Sequence, residues 1–75
     1  MTGFERRVHV KIRLNGEARE VKPGMSVLQL VTELELNPKG VAVERNLEIV
    51  PKSLHGDTLL QEGDSLEIVE FVGGG

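Results

Sequence analysis

A chain of 75 residues has room for one domain, and a domain of that size buries only about 60% of its unfolded surface, so its core must be compact. A formal charge of −3 with two phenylalanines and neither tryptophan nor tyrosine argues against a nucleic-acid binder, which needs a basic field and, for single strands, aromatic stacking faces. Without cysteine there is no disulfide framework and no thiolate metal site; no apolar run approaches the roughly 18 residues of a membrane span and no charged-then-apolar leader opens the chain, so the expectation is a cytoplasmic protein that binds no membrane.

Residues 1–7, "MTGFERR", precede the first periodic segment and read as an N-terminal extension to a domain over 8–71. "VHVKIRL" then puts Val8, Val10, Ile12 and Leu14 on one face of a strand and His9, Lys11 and Arg13 on the other. Asn15-Gly16 follows at once; both residues tolerate the positive φ of a type I′ turn, so "EAREV" is expected to return as the second strand, ended by Pro23-Gly24. Its charge suits a sheet edge or a strand with one wet face.

The helix is well punctuated. Ser26 with Gln29 three residues on makes a capping box, and Met25 and Leu30 fall where a hydrophobic staple crosses the cap. Val27, Leu30, Val31 and Leu34 recur at helical spacing with Glu33 and Glu35 off the stripe, and Asn37-Pro38 is expected to end the helix. Short strands fill the second half: "VAVE" at 41–44 and "LEIV" at 47–50 about a turn at Arg45-Asn46, a loop through "PKSLHGDTLL" with a short helical turn after Ser53, a turn at 62–64, and a last strand "SLEIVEFV". A hairpin, a helix and more strands predict an α+β domain with one helix on one face of a mixed sheet. In the last strand alternation sets Leu66 and Ile68 toward the core and leaves Val69 and Phe71 outward beside the tail, where such a pair can dock a partner.

Chemistry within the domain is sparse. His9 and His55 are separate in sequence and read as solvated surface residues, and the carboxylates Glu33, Glu35, Glu44, Glu48, Glu62, Asp64, Glu67 and Glu70 read as a solvated acidic face; no catalytic or metal-binding set is selected. What remains is the terminal "GGG". Glycine is the costliest residue to order, and a tail without side chains suits a groove too tight for any other residue. From Val72 to Gly75 the chain spans at most about 14 Å. Its terminal carboxylate is ionised at neutral pH and is a poor electrophile until converted to a mixed anhydride such as an acyl-adenylate. Nothing in the chain resembles a phosphate-cradling loop, so another protein must supply that activation.

The order of these features, with "PGMSVLQLV", "VAVERNLEIVPKS" and "EGDSLEIVEFVGGG" as the most specific stretches, resembles the ThiS family of sulfur carriers over roughly residues 8–75. The resemblance implies a ubiquitin-like β-grasp fold with a four- to five-stranded sheet. It further implies that Gly75 is adenylated with ATP by a ThiF-type enzyme and receives sulfur ultimately derived from cysteine, through a donor such as a cysteine desulfurase. The resulting thiocarboxylate would serve a ThiG-type thiazole synthase. Carried over by position, Gly74 and Gly73 with Val72 form the flexible approach that threads into a partner, and Phe71 lies nearest that partner. The chain itself would bind no cofactor, catalyse nothing and be a monomer when free. The absence of proline before the glycines favours the thiamin type over the molybdopterin type. Carriers for molybdopterin, cysteine or thiolated tRNA, a ubiquitin-like modifier attacked by a lysine amine, and a non-covalent β-grasp binding module are the alternatives; only the last predicts that Gly74 and Gly75 are dispensable.

Overall fold

The structure, a computed structural model, describes residues 9–71. In β1 (Val10–Leu14), Val10 and Ile12 are buried and Lys11 and Arg13 exposed, as alternation requires, with Leu14 half-buried at the end; Val8 lies outside the described residues. Asn15 and Gly16 take φ of 51° and 87°, the left-handed pair of a type I′ turn. β2 (Glu17–Val21) returns antiparallel, from Leu14↔Glu17 to Val10↔Val21, and forms one edge of the sheet.

The helix α1 (Val27–Glu33) begins where its cap places it. The Gln29 amide donates to Ser26 Oγ at 3.0 Å and the Ser26 amide to Gln29 Oε1 at 2.9 Å, so each residue satisfies a backbone donor of the other. Val27, Leu30 and Val31 are fully buried, and Met25 and Leu34 pack against them from the margin. The helix ends earlier than Asn37-Pro38. Glu35 adopts a left-handed φ of 64°, its amide donating to the Thr32 carbonyl at 2.9 Å and that of Leu36 to the Val31 carbonyl at 3.1 Å. This is the Schellman closure, formed without the usual glycine. Pro38 instead opens a 3-10 turn (Pro38–Gly40), capped by Asn37 Oδ1, which accepts from the Lys39 amide at 3.0 Å.

β3 (Val41–Arg45) and β4 (Glu48–Ile49) form the second hairpin. Its turn is Asn46-Leu47, with φ of 54° and 72°, one residue later than the expected Arg45-Asn46, and β4 is two residues long where four were expected over 47–50. Tertiary bonds explain the shift: the Asn46 amide donates to the Ser65 carbonyl (2.8 Å) and Asn46 Oδ1 accepts from the Ser65 amide (2.9 Å). Those bonds make Asn46 the first turn residue and force Leu47 into the second. A short 3-10 turn (Lys52–Leu54) follows, and the segment after it meets the helix start: Val27 and Leu28 amides donate to the Thr58 and His55 carbonyls at 2.9 and 2.8 Å. Those donors have no partner within a helix, so the loop completes the cap.

β5 (Ser65–Glu70) runs through the middle of the sheet, whose order is β2-β1-β5-β3-β4. It pairs parallel with β1 (Arg13↔Ser65, Leu14↔Leu66) and antiparallel with β3 from Val41↔Glu70 to Arg45↔Leu66. The strand stops at Glu70, with Phe71 just beyond it; Val72, expected as its last residue, lies outside the described residues. Val41, Val43, Leu66 and Ile68 face α1 and join its stripe in a single core. One helix laid on one face of a five-stranded mixed sheet is the β-grasp form of an α+β domain. Among the described residues no helix is long and apolar enough to cross a membrane.

Candidate functional site

The candidate site is the end of β5, where the chain leaves the sheet toward its C-terminus. On one side the 3-10 turn that precedes β3, with its cap, holds the end of the strand: the Phe71 amide donates to the Gly40 carbonyl at 2.8 Å, and Glu70 Oε2 accepts from the Asn37 amide at 3.4 Å. On the other side β1 stops at Leu14, two residues short of Ile68 in the parallel register, and Asn15 takes its place. Its amide donates to the Leu66 carbonyl at 2.8 Å; its side-chain Oδ1 accepts from the Ile68 amide at 2.8 Å, and its Nδ2 donates to the Ile68 carbonyl at 3.3 Å. A turn residue thus extends the ladder with its side chain. Both neighbours hold the end of β5 in place. Val72, Gly73, Gly74 and Gly75, the residues expected to carry the chemistry, lie outside the described residues.

Val69 and Phe71 are 55% and 66% exposed on the face of the sheet away from α1. Across β3 from them stand Ala42, opposite Val69, and Gly40, whose carbonyl receives the Phe71 amide. One step along, Glu67 stands opposite Glu44, which stands opposite the exposed Ile49 of β4. Sequence reasoning missed Ile49 and Ala42 as members of this surface, because misplacing the hairpin turn by one residue obscures which side of β4 faces out. With the turn at Asn46-Leu47, the alternation of Glu48 and Ile49 would have found it.

Two expectations about side chains are overturned. His55 is buried, 3% exposed, not a solvated loop residue: its Nε2 lies 3.0 Å from the Val50 carbonyl while its own carbonyl receives the Leu28 amide. Asp64 is no part of a solvated acidic face either; it is 5% exposed and accepts from Arg45 Nε at 2.8 Å, Asn46 Nδ2 at 3.0 Å and the Gln61 amide at 2.8 Å. Burial opposes its ionisation, but the bonds from Arg45, Gln61 and Asn46, with the charge of Arg45, outweigh that and hold the carboxyl below its ordinary value. Arg45, Asn46 and Asp64 together fasten the β3–β4 hairpin to the turn that starts β5. His9 is exposed, as expected, with Nδ1 3.7 Å from Glu20 Oε1. Glu33, Glu35, Glu48, Glu62, Glu67 and Glu70 are exposed and Glu44 is half-buried. Among the described residues no three of His, Asp or Glu stand close enough to hold a metal ion.

A helix laid on one face of a five-stranded mixed sheet with β5 at its centre defines a ubiquitin-like domain. The ThiS family model matches residues 12–75, and the chain belongs to that family. It is 40% identical over 65 residues to the sulfur carrier protein ThiS of Bacillus subtilis, covering 85% of this chain and 98% of that one. Over 66 residues it is 50% identical to a thiazole synthase of Paramagnetospirillum magneticum, covering 88% of this chain and 20% of the relative. The chain therefore spans about a fifth of the length of that synthase, and likewise 20% of one from Magnetococcus marinus at 42% identity. Among solved structures, the thiamine biosynthesis protein ThiS of Geobacter metallireducens superposes with a TM-score of 0.74 at 28% identity, covering 88% of this chain and all of that one, 100%.

Proposed function

We propose that this protein is a sulfur carrier of thiamin biosynthesis, a protein cosubstrate whose C-terminal Gly75 is chemically turned over by partner enzymes. The observation that carries the reading is the family match, which runs through residue 75 and so includes the glycine terminus. The fold supports it: β5 is hydrogen-bonded on both sides almost to its last residue.

In this reading the Gly75 carboxylate attacks the α-phosphorus of ATP held by a ThiF-type enzyme, releasing pyrophosphate and giving an acyl-adenylate. A persulfide on a desulfurase-loaded donor then displaces AMP to give an acyl disulfide, and a thiol cleaves its S–S bond, forming a disulfide with the donor and leaving the terminal thiocarboxylate. Adenylate is a good leaving group where oxide is not, which is why activation must come first. In the same reading Val72, Gly73 and Gly74 thread into the partner, the glycines carrying no side chain that would block a narrow channel. The thiocarboxylate then delivers its sulfur to a ThiG-type thiazole synthase. That partner is supported by the relatives named thiazole synthase, in which a segment like this chain forms part of the same polypeptide. The carrier works as a monomer in the cytoplasm, where the ATP consumed by its activation is made.

Growth of a thiazole-requiring strain that lacks its own carrier tests the reading. The full chain restores growth and the chain without Gly74 and Gly75 does not; rescue by the shortened chain would contradict it.

A further inference from the structure

Three asparagines stand in the chain, at 15, 37 and 46, and each precedes a different kind of residue: Gly16, Pro38 and Leu47. An asparagine side-chain amide is open to attack by the backbone nitrogen of the residue that follows it, and the follower decides how fast. Proline has no N–H to lose, so Asn37 is inert to this reaction. A leucine side chain crowds the approach to Asn46, whose own amide is tied down on both sides, Nδ2 donating to Asp64 Oδ1 at 3.0 Å and Oδ1 accepting from the Ser65 amide at 2.9 Å. Glycine crowds nothing and gives the backbone the widest choice of φ and ψ, so Asn15-Gly16 carries the favourable pairing. The dipeptide that makes the best two-residue turn also holds the most labile amide of the three.

The fold decides when that amide reacts. Asn15 is exposed to the water that hydrolysis consumes, yet its side chain reaches β5: Oδ1 accepts from the Ile68 amide at 2.8 Å and Nδ2 donates to the Ile68 carbonyl at 3.3 Å. Both polar atoms of the reactive amide are therefore engaged by one residue 53 positions away in the chain. For the Gly16 nitrogen to meet Cγ, the side chain must fold back over its own main chain. That requires both bonds to Ile68 to break.

We infer that Asn15-Gly16 is a modification site, a deamidating dipeptide whose reaction is held back by β5 and whose product releases β5. The Gly16 nitrogen gives its proton to solvent base and attacks Asn15 Cγ. An N–C bond forms, the Cγ–Nδ2 bond breaks, and the departing nitrogen takes up a proton from water and leaves as ammonia. Water then opens the cyclic imide at one carbonyl or the other, giving aspartate or isoaspartate. Neither product does the work of Asn15. Aspartate lacks the Nδ2 donor and sets an anionic oxygen against the Ile68 carbonyl. Isoaspartate adds a methylene to the main chain, which the two-residue connection between Leu14 and Glu17 does not absorb in register, and leaves its carboxylate on an arm too short for Ile68. An opening of the end of β5 is thus written into the covalent structure. The inference goes beyond the carrier reading and does not depend on it.

The test incubates the full-length protein at mildly alkaline pH, folded and in urea. Ammonia loss is read from the mass of the peptide that spans residue 15, and isoaspartate from methyl transfer by an isoaspartate-specific methyltransferase. Loss at Asn15 is expected to be about 10-fold or more slower in the folded chain than in urea, because two hydrogen bonds must open first. Ile68→Val leaves the dipeptide intact and loosens the packing of the residue that holds it, so it should speed the folded-state reaction by about 2- to 10-fold and leave the rate in urea unchanged. The aged fraction, separated by its added negative charge, should melt about 5 °C or more below the fresh protein. Equal rates in the folded and unfolded chain, or an Ile68→Val rate equal to wild type, would overturn the control by β5. An aged fraction that melts with the fresh protein would overturn the release of β5, and faster loss from Asn46 than from Asn15 would overturn the site.

Discussion

Leu47 sits second in the β3–β4 turn at φ 72° and is 90% exposed, so its side chain gains almost nothing from the fold. A left-handed conformation costs a leucine about 1–2 kcal/mol, and glycine occupies it freely. Leu47→Gly would place a glycine directly after Asn46, the preferred type I′ pair, and after allowance for the greater freedom of glycine in the unfolded chain should stabilise by about 0.5–1 kcal/mol. Urea unfolding with an unchanged denaturant slope checks this; a lower midpoint would mean that Leu47 makes a contact worth more than its strain. Asp64 carries the opposite kind of residue effect. Its folded pKa is depressed, so the stabilisation is fully present above the unfolded aspartate value and disappears as pH falls through the lower, folded one. Asp64→Asn is expected to cost about 2 kcal/mol at neutral pH. The deficit should shrink as the medium is acidified below the ordinary aspartate range, and a deficit independent of pH would refute the linkage. Neither Asp64 nor His55 could be recognised as buried from the sequence. Their burial depends on segments distant in the chain, 19 residues apart for Arg45 and Asp64, closing over them.

Elements specified by their own residues were legible, and those specified by distant ones were not. The Asn15-Gly16 turn and the Ser26–Gln29 box act within four residues and appear as read. The helix end was misplaced because Glu35, with none of the glycine or asparagine signal of a left-handed cap, is held there by the Leu36 and Val31 backbone closure. The parallel pairing of β1 with β5 is invisible to any local pattern. So is the role of Asn15, which serves as turn residue and as a surrogate strand for Ile68 at once. That dual role is testable. Asn15→Gly improves the turn conformation yet removes both side-chain bonds to Ile68, and a net loss of about 1–2 kcal/mol is expected. A neutral or stabilising result in thermal unfolding would show that the side chain does not hold β5.

Across the domain, alternation and helical spacing pointed to the α+β class and the one-helix layout, while the β-grasp topology followed from likeness to the ThiS family and is borne out by the strand order. The outward placement of Val69 and Phe71 was legible from the period of β5; the surface they share with Ala42, Glu44 and Ile49 required the register. The chain is organised around one strand. β5 supplies Leu66 and Ile68 to the core, exposes Glu67, Val69 and Phe71 on the opposite face, and ends where the terminus begins. The interior is used up by the core, which agrees with the proposal that any chemistry belongs to Gly75 rather than to the inside of the domain. The decisive measurement is the intact mass of the protein after incubation with a ThiF-type enzyme, ATP and a sulfur donor. The expected outcome is a gain equal to the replacement of one oxygen by sulfur, dependent on ATP and lost when Gly75 is deleted. An unchanged mass, in a mixture that converts the Bacillus subtilis sulfur carrier protein, would show that this terminus is not the site of sulfur loading.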